Sequence, residues 1–360
     1  MRIMTICGTR PEIIRLSRIL PKLDKVCEHI LVHTDQNYDK MLSDIFFTEL
    51  KLRRPDYFLG NKSSNFGEQI GLMFQKLEEI LIKVHPDKVL ILGDTNSGLC
   101  SIVCERLGIP IFHMEAGNRC FDKRVPEEIN RKIIDGISTF NLPYTQLSKE
   151  NLIHDGVPKN KIFVTGNPIY EVLEHYSKAI ERSNVLSRFG LKKGKYFLST
   201  FHRAENVNDP VILRQIIAGL SLVANCYERP IICSIHPRTR DRINKLSEIV
   251  DNPFIMFCEP LGFFDFVKLE SNAKCIISDS GTVSEEACIL GVPNVIIRNS
   301  TERPELIECG SSILAGVDIV NIKKSVELMA NMDSNWTIPE GYNNNNVSDV
   351  IIKILLGENK

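Results

Sequence analysis

The run RIMTIC, residues 2–7, breaks at once into GTRPE, residues 8–12. A short apolar run closed by Gly8 predicts a buried strand, and Pro11 in the first turn of the next segment predicts a helix start. A strand feeding a helix through a tight turn is the unit of a parallel α/β sheet. The unit recurs outward from this point. Strands are expected at Arg2 to Cys7, His29 to Thr34, Lys88 to Leu92, Pro110 to His113, Phe140 to Leu142 and Ile162 to Thr165. After Gly166-Asn167-Pro168 the alternation restarts at Tyr196 to Thr200, Pro230 to Ile235, Phe254 to Phe257, Cys275 to Ser278 and Asn294 to Ile297.

At 360 residues the chain suits two domains, each able to bury its own core. The restart sets residues 1–167 as a first Rossmann-like domain and 168–340 as a second. Residues 341–360, with a helix pattern from Val347 to Leu356, are expected to cross back onto the first domain. The fold class expected is α/β, two such domains facing across a cleft.

Apolar residues at 43% and charged residues at 25% fit a globular chain, not a disordered or fibrous one. With 44 basic and 45 acidic residues, no polyanion-binding surface is indicated, so nucleic acid is not an expected partner. No stretch approaches the roughly 20 consecutive apolar residues of a membrane span, and the start lacks a signal-peptide pattern. No membrane partner is therefore expected, and the chain is expected in the cytoplasm. The eleven cysteines form no CxxC or other metal-ligand spacing, so they are expected as free, mostly buried thiols, with no metal site. Cys120, beside Arg119, is the one candidate for a reactive thiol.

In open parallel sheets, ligands bind beyond the carboxyl ends of the strands, where loop amides and helix N-termini converge. The unusual polar residues of this chain fall there. Arg10, in the first turn, offers a fork of donors suited to phosphate oxygens, against the alternative of a surface salt bridge to Glu12. Asp94 and Glu115 directly follow expected strands, and Glu127 sits behind Pro126. Three carboxylates sharing a site divide into acid and base roles when their surroundings separate their pKa values. For Glu127 the alternative is compensation of the helix dipole. His202, among Arg203, Glu205 and Asn206, is the candidate proton shuttle.

Residues 279–286, DSGTVSEE, are the candidate diphosphate cradle: Ser280, Gly281 and Thr282 let backbone amides reach an anion, and Glu286 lies one turn on for ribose hydroxyls. An ordinary helix N-cap is the alternative. His236, Arg238 and Arg303 are candidates for base or phosphate contacts, or are solvated loop residues. No Gly-x-Gly-x-x-Gly follows the first strand and no Tyr-x-x-x-Lys occurs, which disfavours a nicotinamide cofactor. The absence of a Walker-type loop disfavours a kinase.

Read together, Gly8 to Glu12, Gly93-Asp94-Thr95, His113 to Arg119, Pro126 to Arg131, His202 to Glu205, Asp279-Ser280-Gly281 with Glu285-Glu286, and Thr301 to Glu305 resemble the non-hydrolysing UDP-N-acetylglucosamine 2-epimerase family over nearly the whole chain. Within it, residues 13–18, 30–38 and 118–122 are most similar to the capsule and O-antigen branch that forms UDP-N-acetyl-L-fucosamine. The resemblance implies a glycosyltransferase-B-like fold, a homodimer, a UDP-sugar substrate and inversion at C2 with no cofactor. It implies catalytic roles for Asp94, Glu115, Glu127 and His202, and UDP contacts from Arg10, His236, Ser280, Gly281, Thr282 and Glu286. Arg119 joins the substrate-binding candidates through its motif. Many relatives have Lys in place of Arg15 and Gly-Gly in place of Gly281-Thr282. Many also have Gln-His-Arg in place of Gln36-Asn37-Tyr38, a segment that helps some members bind an activating second UDP-sugar. A glycosyltransferase of the same fold and a non-catalytic nucleotide-sugar sensor are the rival readings.

Overall fold

The computed structural model describes residues 1–35, 40–60, 63, 65–246 and 252–357, with the backbone alone for 40–44 and 237–238. Gln36-Asn37-Tyr38 lies outside the described residues, as does the side chain of Arg238. The chain forms two compact units, 1–174 with 340–360, and 175–339, the division falling within the helix Ile169–Arg182.

In the first unit, β1 (Arg2–Cys7), β2 (Glu28–His33), β3 (Tyr57–Phe58), β4 (Lys88–Leu92), β5 (Ile111–Met114) and β6 (Phe140–Leu142) form one sheet in the order β3-β2-β1-β4-β5-β6. Every pairing in it is parallel. β4 and β5 are buried from end to end because helices cover both faces, which is why they read as mostly apolar runs, with Lys88 and His113 the exceptions. The helix Phe66–Val84 shows how one such cover is specified. Asn65 caps it through the amides of Gly67 and Glu68, and His85 ends it in the left-handed region at φ 48°. Met73, Leu77, Leu81 and Val84, at helical spacing, bury its inner face in the core. Each such side chain contributes about 1.5–3 kcal/mol.

The second unit contains β7 (Phe197–Thr200), β8 (Ile231–Ser234), β9 (Ile255–Cys258), β10 (Ile276–Ser278), β11 (Asn294–Ile296) and β12 (Ser312–Leu314), in the order β12-β11-β10-β7-β8-β9, again all parallel. Renumbered from its own first strand, this is the order of the first sheet. Among the described residues one helix, Pro210–Tyr227, is long and apolar enough to cross a membrane by composition. Here it is a core helix, with Leu213, Ile216, Ile217, Leu220, Val223 and Ala224 packed in the second unit's core.

Three local expectations change. Ile162 to Thr165 is not a strand: Ile162 makes a single bridge to Asn141, and the amides of Phe163 and Thr165 donate to the carbonyls of Asn141 and Pro143. The next return bond would come from the N–H of residue 143, which is a proline, so the ladder stops. One edge strand of each sheet, Tyr57–Phe58 and Ser312–Leu314, was not expected. Both sheets reverse their winding at one point, between β1 and β4 and between β7 and β10. Those are the crevices where open α/β sheets bind ligands.

The segment 340–360 belongs with the first unit. Its helix Val347–Gly357 is held there by Ser348 N donating to Glu171 Oε2 (2.8 Å), Lys22 Nζ to Asp349 Oδ1 (2.6 Å) and Lys88 Nζ to the Leu355 carbonyl (2.6 Å).

Candidate functional site

The turn after β1 is fixed before any ligand is considered. A Cβ on Gly8 would stand 2.0 Å from Thr34 Oγ1 and 2.2 Å from Ser97 Oγ, so only glycine fits. Glu12, buried, accepts hydrogen bonds from Gly8 N (2.6 Å), Thr9 N (3.3 Å) and Thr95 Oγ1 (2.7 Å). Burial pushes its carboxyl up, against those same hydrogen bonds, which favour the ionised form. Glu12 is thus the weld between the turns after β1 and β4, not a surface partner of Arg10. Arg10 opens the helix Arg10–Leu16, half-buried, its guanidinium 5.8 Å from the centre of the Phe46 ring.

Two of the candidate carboxylates stand on adjacent strand ends, each gripped by a buried arginine. Asp94, after β4, accepts from Arg131 Nε at 2.7 Å, and its carbonyl accepts from Asn130 Nδ2 at 2.9 Å. Glu115, after β5, is buried in the left-handed region at φ 64°. A non-glycine residue there stores about 1–3 kcal/mol of strain, a recurrent feature of functional sites. Its Oε2 accepts from Arg15 Nη1 at 2.6 Å and from the Tyr144 hydroxyl at 3.4 Å. Gly93, which precedes Asp94, is required for its backbone conformation, at φ 80° in the left-handed region. Glu127 lies half-buried in the first turn of the helix Pro126–Ile137.

Behind these groups His113 joins Asp135 Oδ1 (2.8 Å) to the carbonyl of Gly93 (2.9 Å), and Asp135 Oδ2 accepts from Gly117 N (3.1 Å). Arg119 is set apart from the other substrate-binding candidates. Its buried guanidinium is spent on Asp135 Oδ2 (2.7 Å), Asp155 Oδ2 (2.9 Å) and the Asn118 carbonyl (2.8 Å), which makes it a clamp on its own turn. Cys120 does not have the environment of a reactive thiol either. Burial pushes its thiol up, and its Sγ lies 3.4 Å from the Glu128 carboxylate.

In the second unit the organiser is Asp279, fully buried at the end of β10. It accepts from His202 N (3.1 Å), Arg203 N (3.0 Å) and Asn206 Nδ2 (3.0 Å), so one carboxylate shapes the whole turn after β7. His202 keeps its imidazole more than half exposed, Nδ1 lying 3.5 Å from Asp279 Oδ1. Ser280 caps the helix Gly281–Leu290 through Val283 N, leaving Gly281 and Thr282 half-exposed in its first turn. A Cβ on Gly281 would stand 2.9 Å from Glu302 Oε1. His236 is half-buried, two residues beyond the end of β8. Arg303 is buried against the carboxylates of Glu285 and Glu302, bracing the Gly281 turn from behind.

Glu286, also buried, meets a second carboxyl group, that of the fully buried Glu270 at the end of the helix Phe263–Glu270. Burial, and then the charge of Glu286, push the Glu270 carboxyl well above its ordinary value of 4.5. A carboxyl raised in the folded state holds its proton more tightly there than in the unfolded chain. Stability is therefore full below about pH 4.5 and falls as pH rises towards the folded pKa, by at most about 1.4 kcal/mol per pH unit. Glu270→Gln removes this titration, so the variant is expected to gain on the wild type as pH rises above about 4.5 in urea titrations. A constant difference over that range would show that Glu270 is not held neutral.

The structure thus gathers Asp94 and Glu115 at the first crevice, with Arg10 on its turn, and His202, Ser280, Gly281 and Thr282 at the second. Sequence reasoning assigned no holding role to Arg15, Arg131, Asp135 or Asp279, although Arg15, Arg131 and Asp279 stood in stretches it quoted. Asp279 alone had a local signal, an acid ending a buried strand.

Against known proteins, a family model described as UDP-N-acetylglucosamine 2-epimerase matches residues 22–356. A UDP-N-acetylglucosamine 2-epimerase of Methanocaldococcus jannaschii is 42% identical over 363 residues, covering 99% of both chains. One of Methanococcus maripaludis is 40% identical, over 100% of this chain and 99% of its own. The crystal structure of the M. jannaschii enzyme in complex with UDP-GlcNAc and UDP superposes with a TM-score of 0.95 at 41% identity, over 99% of this chain and 100% of that one.

Proposed function

The chain belongs to the UDP-N-acetylglucosamine 2-epimerase family, and from that premise we propose that it inverts C2 of a UDP-linked N-acetylhexosamine, with UDP-N-acetylglucosamine as first candidate substrate. The observation that carries the reading is the pair of carboxylates, Asp94 and Glu115, on neighbouring strand ends, each fixed by a buried guanidinium.

The C2 proton of a hexosamine is not adjacent to a carbonyl, so it is not removed directly at neutral pH. Departure of UDP breaks the C1–O bond and places positive charge at C1, which acidifies C2–H. A carboxylate takes that proton and leaves a bound 2-acetamidoglycal with free UDP. A proton then reaches the opposite face of C2, and the UDP oxygen returns to C1. Asp94, Glu115 and Glu127 are the proposed proton-transfer groups, with His202 as shuttle. Arg10, His236, Ser280, Gly281, Thr282 and Glu286 are the proposed UDP contacts, the capped helix start favouring an anion. No redox cofactor enters.

A second substrate, the 6-deoxy-L-talose derivative leading to UDP-N-acetyl-L-fucosamine, is favoured by residues 13–18 and 118–122. The same reading makes the protein a cytoplasmic homodimer that supplies a surface-polysaccharide precursor.

The test is turnover in deuterium oxide with each UDP-sugar in turn. The epimerised product is expected to carry deuterium at C2, followed by loss of its proton NMR signal, with UDP and acetamidoglycal leaking out on long incubation. Clean epimerisation with protium retained at C2 would rule out elimination, and transfer of the sugar to an acceptor without C2 exchange would identify a glycosyltransferase.

A further inference from the structure

We propose that Arg131, held by Glu128, is a positioning residue of the epimerisation: its guanidinium sets the rotamer in which the Asp94 carboxylate exchanges a proton. The inference rests on the reading of Asp94 as a proton-transfer group. It adds why that group is usable.

Arg131 and Glu128 are one turn apart on the helix Pro126–Ile137, and both are buried. Nη1 of Arg131 donates to Glu128 Oε2 at 2.8 Å, and Nε donates to Asp94 Oδ2 at 2.7 Å. The Arg131 side chain is 2% exposed whereas that of Asp94 is 23% exposed, so the guanidinium is the fixed part and the carboxylate the part that solvent and ligand can reach. Asn130, the preceding residue, holds the Asp94 main chain through its carbonyl. Two consecutive helix residues thus fix both the backbone and the side chain of Asp94.

Glu128 is itself pinned. It accepts from the amides of Cys120 (3.0 Å at Oε2) and Phe121 (3.2 Å at Oε1). Burial would raise its carboxyl, but the Cys120 amide and the Arg131 charge outweigh that and hold it below the usual glutamate value. The same two bonds hold Phe121 at φ 56°, an exposed aromatic residue in the left-handed region. The strained loop and Asp94 therefore share one anchor. A guanidinium is needed between them because it presents N–H groups in a planar fork, whereas an ammonium supplies a charge with no fixed direction. Misplacing a reacting group by about 1 Å costs on the order of a hundredfold in rate.

The test is a double-mutant cycle on the full-length enzyme with the UDP-sugar it turns over. Arg131→Gln is expected to lower kcat by roughly thirtyfold to a hundredfold, while KM and the calorimetric affinity for UDP change less than about threefold. In the Asp94→Asn background the same substitution is expected to cost less than about threefold, because a residue acting through Asp94 has nothing left to position. A merely structural role costs the same in both backgrounds. Since Arg131→Gln leaves Glu128 buried without its cation, Arg131→Lys is the companion variant. It keeps the charge and the fold, and is expected to lose about tenfold in kcat with UDP affinity unchanged. Wild-type kcat in Arg131→Lys, or a cost of Arg131→Gln undiminished beside Asp94→Asn, overturns the inference and leaves the proposed function standing. Full activity of Asp94→Asn alone would instead remove the role of Asp94 itself, and the inference with it.

Discussion

Asp94→Asn and Glu115→Gln are each expected to lower kcat by at least about a hundredfold, the ordinary size of a lost acid or base, while UDP affinity stays within about threefold of wild type. The expectation follows from placement. Both carboxylates directly follow neighbouring buried strands of the first sheet, and neither is among the proposed UDP contacts. Steady-state kinetics together with calorimetry on UDP separate the two quantities. Glu115→Gln also leaves Arg15 buried beside a neutral amide, so thermal unfolding has to be followed in parallel. A variant that still folds and binds UDP but no longer turns over supports the assignment. Near-normal turnover would reduce Glu115 to a counter-ion for Arg15. Glu127→Gln in the same assay decides between catalysis and its helix-first-turn alternative.

Arg303→Ala is expected to destabilise the second unit by about 3–5 kcal/mol, because it leaves the buried carboxylate of Glu285 without its cation. Arg303 is 3% exposed and Glu285 fully buried, so solvent cannot take over the arginine's role. Urea titration followed by hydrogen exchange should show protection falling over residues 175–339 and not over 1–174. A loss under about 1 kcal/mol would mean that the pair is dispensable, and Arg303 would again be a candidate for phosphate binding.

The strands of both sheets were legible because covered parallel strands are written as short apolar runs, and a run such as Lys88 to Leu92 has few other readings. One edge of each sheet was not. Tyr57–Phe58 and Ser312–Leu314 are too short to carry a period, and Ile162 to Thr165 has the composition of a strand but lies beside a proline that cannot return the hydrogen bond. The site divides in the same way. Its reactive groups stand directly after strands, where the chain announces them. The groups that aim them are brought in from a distance: Arg15 lies 100 residues from Glu115, Arg131 lies 37 from Asp94, and Asp279 lies 77 from His202. Each arginine looks locally like an ordinary surface charge on a helix. Only the packing of that helix on the sheet turns it inward, and one sequence does not contain that information in any local window.

The first unit is discontinuous along the chain, and this sets an order of events during synthesis. When residues 1–174 have left the ribosome, the sheet carrying Asp94 and Glu115 can form, but the Lys88 ammonium still lacks the Leu355 carbonyl, and Glu171 lacks the Ser348 amide. The whole second unit is translated before residues 340–357 arrive to supply them. The contiguous unit can therefore mature while the other waits for its closing helix, so a released chain ending at residue 339 would hold a complete second unit and an unsealed first.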